Sequence, residues 1–472
     1  MHRAREILRS GDWLTRERVR LVAVSLLIAS VAGFLFLVVT AHGAVDRQGR
    51  PLGTDFSNVY AAGTYVLDGN PEAPFDPPQQ YAREQAIFGA TTPFYGWHYP
   101  PYFLFIAGAL ARMRYGLALA VWQATTLGLY LLTIWAIVGL SSPSPRERGE
   151  GWGEGASTLG SDLRRPDSLR GPLTLASLDL SPHAGRGNRF LWLLLALAYP
   201  AVLINIGHGQ NGFLTAALLG GALVALDRRP LLAGILIGLL VYKPQFGLTI
   251  PLALMAGGRW RSFAAATATV ALLTLVATLA FGPQVWHAFL VSTQFSRTVV
   301  LEQGNTGWQK IQSVFSWARM WGAPIPLAYA LQGALTVALG AAIVRLWRSA
   351  ASPALKSASL CLAAILATPY SLDYDMMVLA PAIAFFAADG LKSGFRSWEK
   401  TALAALWLAP LVARSVAQAT LIPLGVPAML AMFVVVLRRA ELERTLPMAF
   451  AGASSTMADG GEARGHDIAA FE

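Results

Sequence analysis

The chain has 472 residues, of which 54% are hydrophobic and only 14% charged, and its net charge is +10. Soluble domains carry about 25% charged residues, so a soluble multidomain enzyme is excluded. The apolar residues fall in stretches near the ~20 residues a bilayer-crossing helix needs. The arginines cluster at the ends of these stretches, as positive-inside topology requires, so the positive charge calls for no nucleic-acid partner. A single cysteine, Cys361, excludes an intrachain disulfide.

The first apolar run, residues 20–41, follows Arg3, Arg5, Arg9, Arg16, Arg18 and Arg20. That basic flank stays in the cytoplasm and sends the helix outward. The run exceeds a signal-peptide core of about 7–15 residues, so it reads as an uncleaved anchor rather than a leader ending near Ala41-His42-Gly43-Ala44. Residues 43–98 form a polar loop with three Arg/Lys against six acids, Asp46, Asp55, Asp68, Glu72, Asp76 and Glu84, an acidic balance suited to the outside. Residues 101–139 are apolar except for Arg112-Met113-Arg114 and fit either one crossing with a short surface helix or two crossings.

Residues 141–189, opening Ser-Pro-Ser-Pro-Arg-Glu-Arg-Gly-Glu-Gly, have the composition of a disordered, dispensable insert that cannot bury a core. Apolar spans then follow at 190–206, 212–226, 231–242, 245–256, 262–281, 326–346, 357–370, 374–388, 401–420 and 422–437. Basic turns at Arg228-Arg229, Arg259 to Arg261, Arg345 to Arg348, Lys392 to Lys400 and Arg438-Arg439 alternate with less basic ones. With these inside, roughly twelve crossings result, with both termini cytoplasmic. The pair 231–242 and 245–256 predicts a helix broken at Lys243-Pro244, tolerated where it lines a cavity. Residues 282–325 are a second external loop, and 441–472 read as a disordered cytoplasmic tail.

In the first loop, Thr54 is positioned to cap a helix whose first turn contains Asp55. At helical spacing Asp55, Val59, Ala62 and Val66 share one face, and small Ala61, Ala62 and Gly63 permit close packing. A carboxylate there is suited to taking a hydroxyl proton as that oxygen attacks an anomeric carbon; the plainer reading is a charge favoured at a helix N-terminus. Lys243, between two apolar half-helices, is costly unless paired and fits a phosphate at the bilayer surface, or snorkels to the interface. His208-Gly209-Gln210-Asn211 is a polar cluster at an outward turn, able to bind sugar hydroxyls or to satisfy helix ends. Arg297, Gln303, Asn305, Trp308, Gln309 and Lys310 mix an aromatic ring with hydrogen-bonding groups. Asp373 and Asp375 sit where a span meets the surface and read as packing and capping residues. No Walker loop, Cys-x-x-Cys or His-Glu-x-x-His occurs, so the motifs point to no metal and no cofactor.

Asp55-Phe56 with Tyr60-Ala61-Ala62, Leu67-Asp68-Gly69, Phe75-Asp76-Pro77, Tyr99-Pro100-Pro101 and Trp122 resembles glycosyltransferase family 87. Gly209-Gln210-Asn211, Ala233-Gly234 with Gly238, Lys243-Pro244 and Arg259-Trp260-Arg261 continue the resemblance in order, over residues 20–440 apart from the insert. The family consists of GT-C-fold, polyprenol-phosphate-mannose-dependent mannosyltransferases. The resemblance therefore implies an all-α integral membrane protein, a GT-C-like bundle of about twelve transmembrane helices with two larger extracytoplasmic loops. It implies inverting transfer of a hexose, with mannose the expected sugar, from a polyprenyl-phosphate donor to a lipid, glycan or protein acceptor outside the plasma membrane. Asp55 would be the general base, with Lys243, Tyr60, His98, Tyr99, His208, Gln210 and Asn211 as donor- and acceptor-binding residues. His98 before Tyr99 departs locally from the family pattern. The rival class is a transporter or flippase of lipid-linked saccharides, against which stand the large first loop and the lack of a clear internal repeat or of a charge series within the spans.

Overall fold

The computed structural model describes residues 2–139 and 187–459. Among these the regular structure is helical, with three isolated β-bridges and no longer strand. Six helices are long and apolar enough to cross a membrane: Arg16–Val39, Tyr115–Gly139, Trp260–Phe281, Ile325–Trp347, Asp373–Ser393 and Glu399–Thr420. Phe190–Leu197 and Pro200–His208 make a seventh, bent by 50°. The bend falls at Tyr199-Pro200, where the proline pushes the preceding residue out of helical geometry; Tyr199 has ψ of 124°. Shorter apolar helices occupy Gly212–Ala225, Pro230–Tyr242, Pro244–Ala256 and Pro353–Leu366. Each predicted span thus coincides with a helix, 422–437 with the first part of Gly425–Asp459, but length and composition qualify six or seven as crossings, against the dozen expected.

The spans differ in enclosure. The Asp373–Ser393 segment is 78% buried within the protein and forms the centre, whereas Arg16–Val39 and Trp260–Phe281 are 6% buried and stand at the periphery. Residues 101–139 resolve into a nine-residue helix, Phe103–Ala111, and the long Tyr115–Gly139 helix, divided at the Arg112–Arg114 turn. The break at Lys243-Pro244 is present: two short 3₁₀ turns, Leu240–Tyr242 and Pro244–Leu248, separate the flanking α-helices. Pro244 lacks an N–H and fixes its own φ, so a continuous helix cannot pass through it.

The loop between residues 43 and 98 is largely helical, with Thr54–Leu67 and Pro77–Phe88. A Cβ on Gly63 would lie 2.1 Å from the Ala107 carbonyl oxygen, so Thr54–Leu67 packs backbone to backbone on Phe103–Ala111. At the end of the bundle carrying the basic turns, the Trp398 N–H donates to the Arg9 carbonyl at 2.7 Å and holds the N-terminal segment there. The 141–189 insert lies almost entirely outside the described residues, as does the end of the 441–472 tail.

Candidate active-site cavity

Two glycines bring the first loop onto the turn after Pro200–His208. Gly53 and Gly209 have φ of +68° and +65°, the left-handed region that L side chains rarely adopt. A Cβ on Gly209 would meet the Phe56 Cβ at 2.5 Å and the Gly53 Cα at 3.3 Å, so the two turns touch through backbone. The Trp122 indole N–H donates to the Gly209 carbonyl at 3.1 Å and fixes the turn from below. Gly53, with no side-chain cap, precedes the Thr54–Leu67 helix. Thr54 is therefore its first residue and not its cap, and its hydroxyl instead meets His208 Nδ1 at 2.6 Å.

This apposition converges Asp55, His208 and Gln210. The Gln210 amide Nε2 donates to Asp55 Oδ2 at 2.9 Å. Its orientation is fixed because Gln210 Oε1 already accepts from the Tyr99 hydroxyl at 3.3 Å and the Asn211 N–H at 3.0 Å. Asp55 Oδ1 has the His208 ring 3.8 Å away, and the carboxylate side chain remains 21% exposed. It lines a cavity of about 510 Å³, within the few-hundred-Å³ range of small-molecule sites.

The opposite wall comes from the Lys243 break and from residues 370–375. Lys243 Nζ donates to Asp375 Oδ1 at 2.5 Å, with side-chain exposures of 5% and 2%. The ammonium held for a phosphate on sequence grounds is thus taken by a carboxylate 132 residues away. Asp375 Oδ2 accepts the Leu372 N–H at 3.0 Å, so the predicted capping is present and the ion pair is added to it. Arg414 Nε donates to Asp373 Oδ2 at 2.7 Å, and Asp373 Oδ1 accepts the Tyr374 N–H at 3.0 Å. The Asn205 amide, donating to the Tyr374 carbonyl at 3.0 Å and accepting the Gly212 N–H at 2.9 Å, ties this wall to the His208 turn.

Of the sequence-predicted site residues, Asp55, His98, Tyr99, His208, Gln210 and Lys243 line the cavity. Tyr60 and Asn211 do not. The Tyr60 hydroxyl donates to the Met113 carbonyl at 2.9 Å and its ring packs edge-on against Tyr115, which holds the first loop to the Arg112–Arg114 turn. Asn211 lies behind the cavity wall, 2% exposed. His98 Nδ1 lies 2.8 Å from the Ser296 hydroxyl. Burial, opposed by the attraction of Asp55, pushes the His98 imidazolium pKa down to about 4, so the ring is neutral at neutral pH. From the second loop Asn305 and Lys310 reach the cavity, while Arg297 pairs with Glu302 at 2.8 Å and Trp308 donates to the Leu301 carbonyl at 2.9 Å.

Three features were missed in the sequence. Arg414 is a lone cation inside an apolar span, a signal available in advance. Arg50 lines the cavity with no ion pair among the described residues, and nothing in its sequence neighbourhood marks it; Lys310, also without an ion pair there, belongs to the second-loop group already read from the sequence. Glu84 is fully buried behind the cavity, accepting the Tyr95 and Gly96 N–H groups at 3.0 and 3.2 Å and the Gln80 amide at 3.1 Å. Burial pushes its carboxyl up to about 7, although these hydrogen bonds pull the other way. Among the described residues no group of three His, Cys, Asp or Glu converges as a metal site.

A multi-pass helical membrane protein with a polar cavity between its external-type loops and a broken helix is the class that fold and site define. The chain belongs to glycosyltransferase family 87, whose model matches residues 97–369, more than half its length. It is therefore a membrane glycosyltransferase. No curated protein and no solved structure shows a significant match. Asp55 and Thr54 precede the matched region, while His98, Tyr99, His208, Gln210 and Lys243 lie within it.

Proposed function

We propose that the cavity transfers a hexose, with mannose the expected sugar, from a polyprenyl-phosphate donor to a lipid, glycan or protein acceptor on the extracytoplasmic face of the plasma membrane. Asp55 is the general base. The observation that carries this role is the Gln210 amide holding Asp55 Oδ2 at 2.9 Å while Oδ1 has only the His208 ring, 3.8 Å away. An acceptor hydroxyl gives its proton to that oxygen as its own oxygen bonds to the anomeric carbon. The bond from the anomeric carbon to the phosphate breaks on the opposite face, and polyprenyl phosphate leaves with inversion.

The leaving phosphate gathers negative charge and needs cations already in place. Arg50 and Lys310, unpaired at the cavity wall, suit that task. Lys243 and Arg414, held by Asp375 and Asp373, shape the wall from which they act. Neutral His98, beside Ser296, offers hydrogen bonds to sugar hydroxyls without competing for the phosphate.

The deciding experiment is a transfer assay in membranes with a panel of radiolabelled polyprenyl-phosphate sugars. Transfer of one labelled hexose by the wild type, and its loss in a folded Asp55→Asn protein, support the reading. Transfer only from nucleotide sugars would overturn the donor class. Sidedness is checked by cysteine labelling at Glu72 and Gln303, both of which should react from outside the cell; cytoplasmic labelling of either would move the cavity to the wrong face.

A further inference from the structure

A second cavity, of about 440 Å³, lies between the start of Arg16–Val39 and the helices carrying Trp192 and Trp407. Its wall is almost wholly apolar, with Trp192, Leu195 and Trp407 prominent. Among the described residues, the charged side chains lining it are Arg16, Arg18 and Lys400, with no carboxylate. Glu17 and Asp12, the acids nearest Arg16 and Arg18 in sequence, are exposed and outside the lining, and Glu399, next to Lys400, is taken by Arg439 at 2.5 Å. Arg18 donates to the Trp13 carbonyl at 3.1 Å, but the Arg16 Nε and Nη2 atoms are buried without a hydrogen-bond partner among the described residues. Leaving two guanidinium donors buried and unmet costs free energy that a bound anion would recover.

The groove also exists for a reason of packing. Arg16–Val39 is 6% buried, so this span stands off the bundle and leaves a slot that opens to hydrocarbon. Its 24 residues extend about 36 Å at 1.5 Å per residue. Arg16 therefore lies a bilayer's thickness from the end of the span that leads to Asp55, in the opposite leaflet. A molecule that fits must be apolar along most of its length and carry an oxyanion at one end.

We propose that this groove is a binding site for one anionic diacyl phospholipid of the leaflet opposite the Asp55 cavity. The phosphate meets Arg16, with Arg18 and Lys400 completing a cationic rim, and the acyl chains lie along Trp192, Leu195 and Trp407. The site is independent of the sugar-transfer reading, since it shares no residue with the Asp55 cavity.

Native mass spectrometry of the detergent-solubilised full chain, titrated with phosphatidylglycerol or phosphatidylcholine, tests it. One phosphatidylglycerol adduct should form about tenfold or more tighter than the phosphatidylcholine adduct: both carry a phosphodiester, but choline sets a second cation against the rim of Arg16, Arg18 and Lys400. Arg16→Gln should remove that preference, and Leu195→Trp, which fills the slot, should weaken both adducts. Equal binding of the two lipids, or a preference that survives Arg16→Gln, overturns the proposal. Should Arg16→Gln fail to fold, photolabelling the wild type with a diazirine-bearing phosphatidylglycerol decides: label on residues 13–22 and 391–408 supports the site, and label elsewhere refutes it.

Discussion

At the end of the bundle rich in basic turns, Arg439 is 2% exposed and every face of its guanidinium is met. Nε donates to Asp389 at 2.7 Å, Nη1 to Glu399 at 2.5 Å, and Nη2 to Ser393 Oγ at 2.6 Å, with the Gly394 carbonyl shared at 3.1 Å. At the other end, Asp55 is 21% exposed and tied through one oxygen, in a cavity also lined by Arg50 and Lys310, which form no ion pair among the described residues. Both regions bury charge among apolar helices. The first leaves no donor or acceptor for a ligand, and so its role is to join Asp373–Ser393, Glu399–Thr420 and the Gly425–Asp459 helix. The second keeps unmatched groups around open space, at a cost in stability that a functional site accepts.

The sharpest test of that contrast is Asp55→Asn, which keeps size and hydrogen bonding but removes the proton acceptor. Transfer should fall about 10²–10⁴-fold while membrane abundance and melting temperature stay near wild type. A folded variant with normal turnover would place the base elsewhere, with Asp373 or Asp375 next in line.

Arg439→Met should show the reverse pattern. It strands Asp389 and Glu399 as buried carboxylates and should destabilise the protein by about 3–5 kcal/mol, measured as lost detergent-resistant folded fraction, with turnover per folded molecule unchanged. Reduced turnover in the surviving folded protein would show that the two ends are coupled.

Glu84 lies between these extremes, buried like Arg439 yet adjacent to the cavity. Its folded pKa of about 7 stands above the ordinary 4.5, so between those values the folded form holds a proton that the unfolded form has lost. Stability therefore falls as pH rises from about 4.5 to 7, by about 3 kcal/mol at 1.36 kcal/mol per pH unit, and levels off above. Protection of residues 84–98 against proteolysis or hydrogen exchange should decline over that window, and Glu84→Gln should flatten the decline. An unchanged profile in Glu84→Gln would assign the pH dependence to another group.

The smallest effect is expected from Lys243→Met combined with Asp375→Asn. Removing both charges together avoids an orphaned ion, and Asn keeps an acceptor for the Leu372 N–H. If the pair only shapes the wall, turnover and donor KM stay near wild type. A raised donor KM with unchanged abundance would mean that Lys243 meets the phosphate itself and belongs with Asp55.

Much of the fold was legible because bilayer crossing imposes a length and a composition that survive in one dimension. The Lys243-Pro244 break was legible too, since a proline between two short apolar runs has few structural alternatives. Within the site, Asp55 and the His208–Gln210 turn were each readable as polar groups at span ends, but their meeting was not, because it depends on two left-handed glycines in separate turns. The partners of Asp373 and Asp375 were hidden for a similar reason: Arg414 and Lys243 are 41 and 132 residues away, and pattern reading spans a helix or a hairpin. Length qualifies only six or seven crossings because helices such as Gly212–Ala225 are apolar yet short, and packing rather than composition decides how deep they run.

The glycine contact between residues 53 and 209 also sets an order in time. Asp55 leaves the ribosome long before its amide partner, 155 residues later, and Asp373 waits for Arg414. A chain still being inserted therefore carries on its first loop a carboxylate that the Gln210 amide has yet to fix. The wall around Asp373 is completed only when the Glu399–Thr420 helix brings in Arg414, so a copy terminated before that helix has the Asp55–Gln210 contact but not this second one.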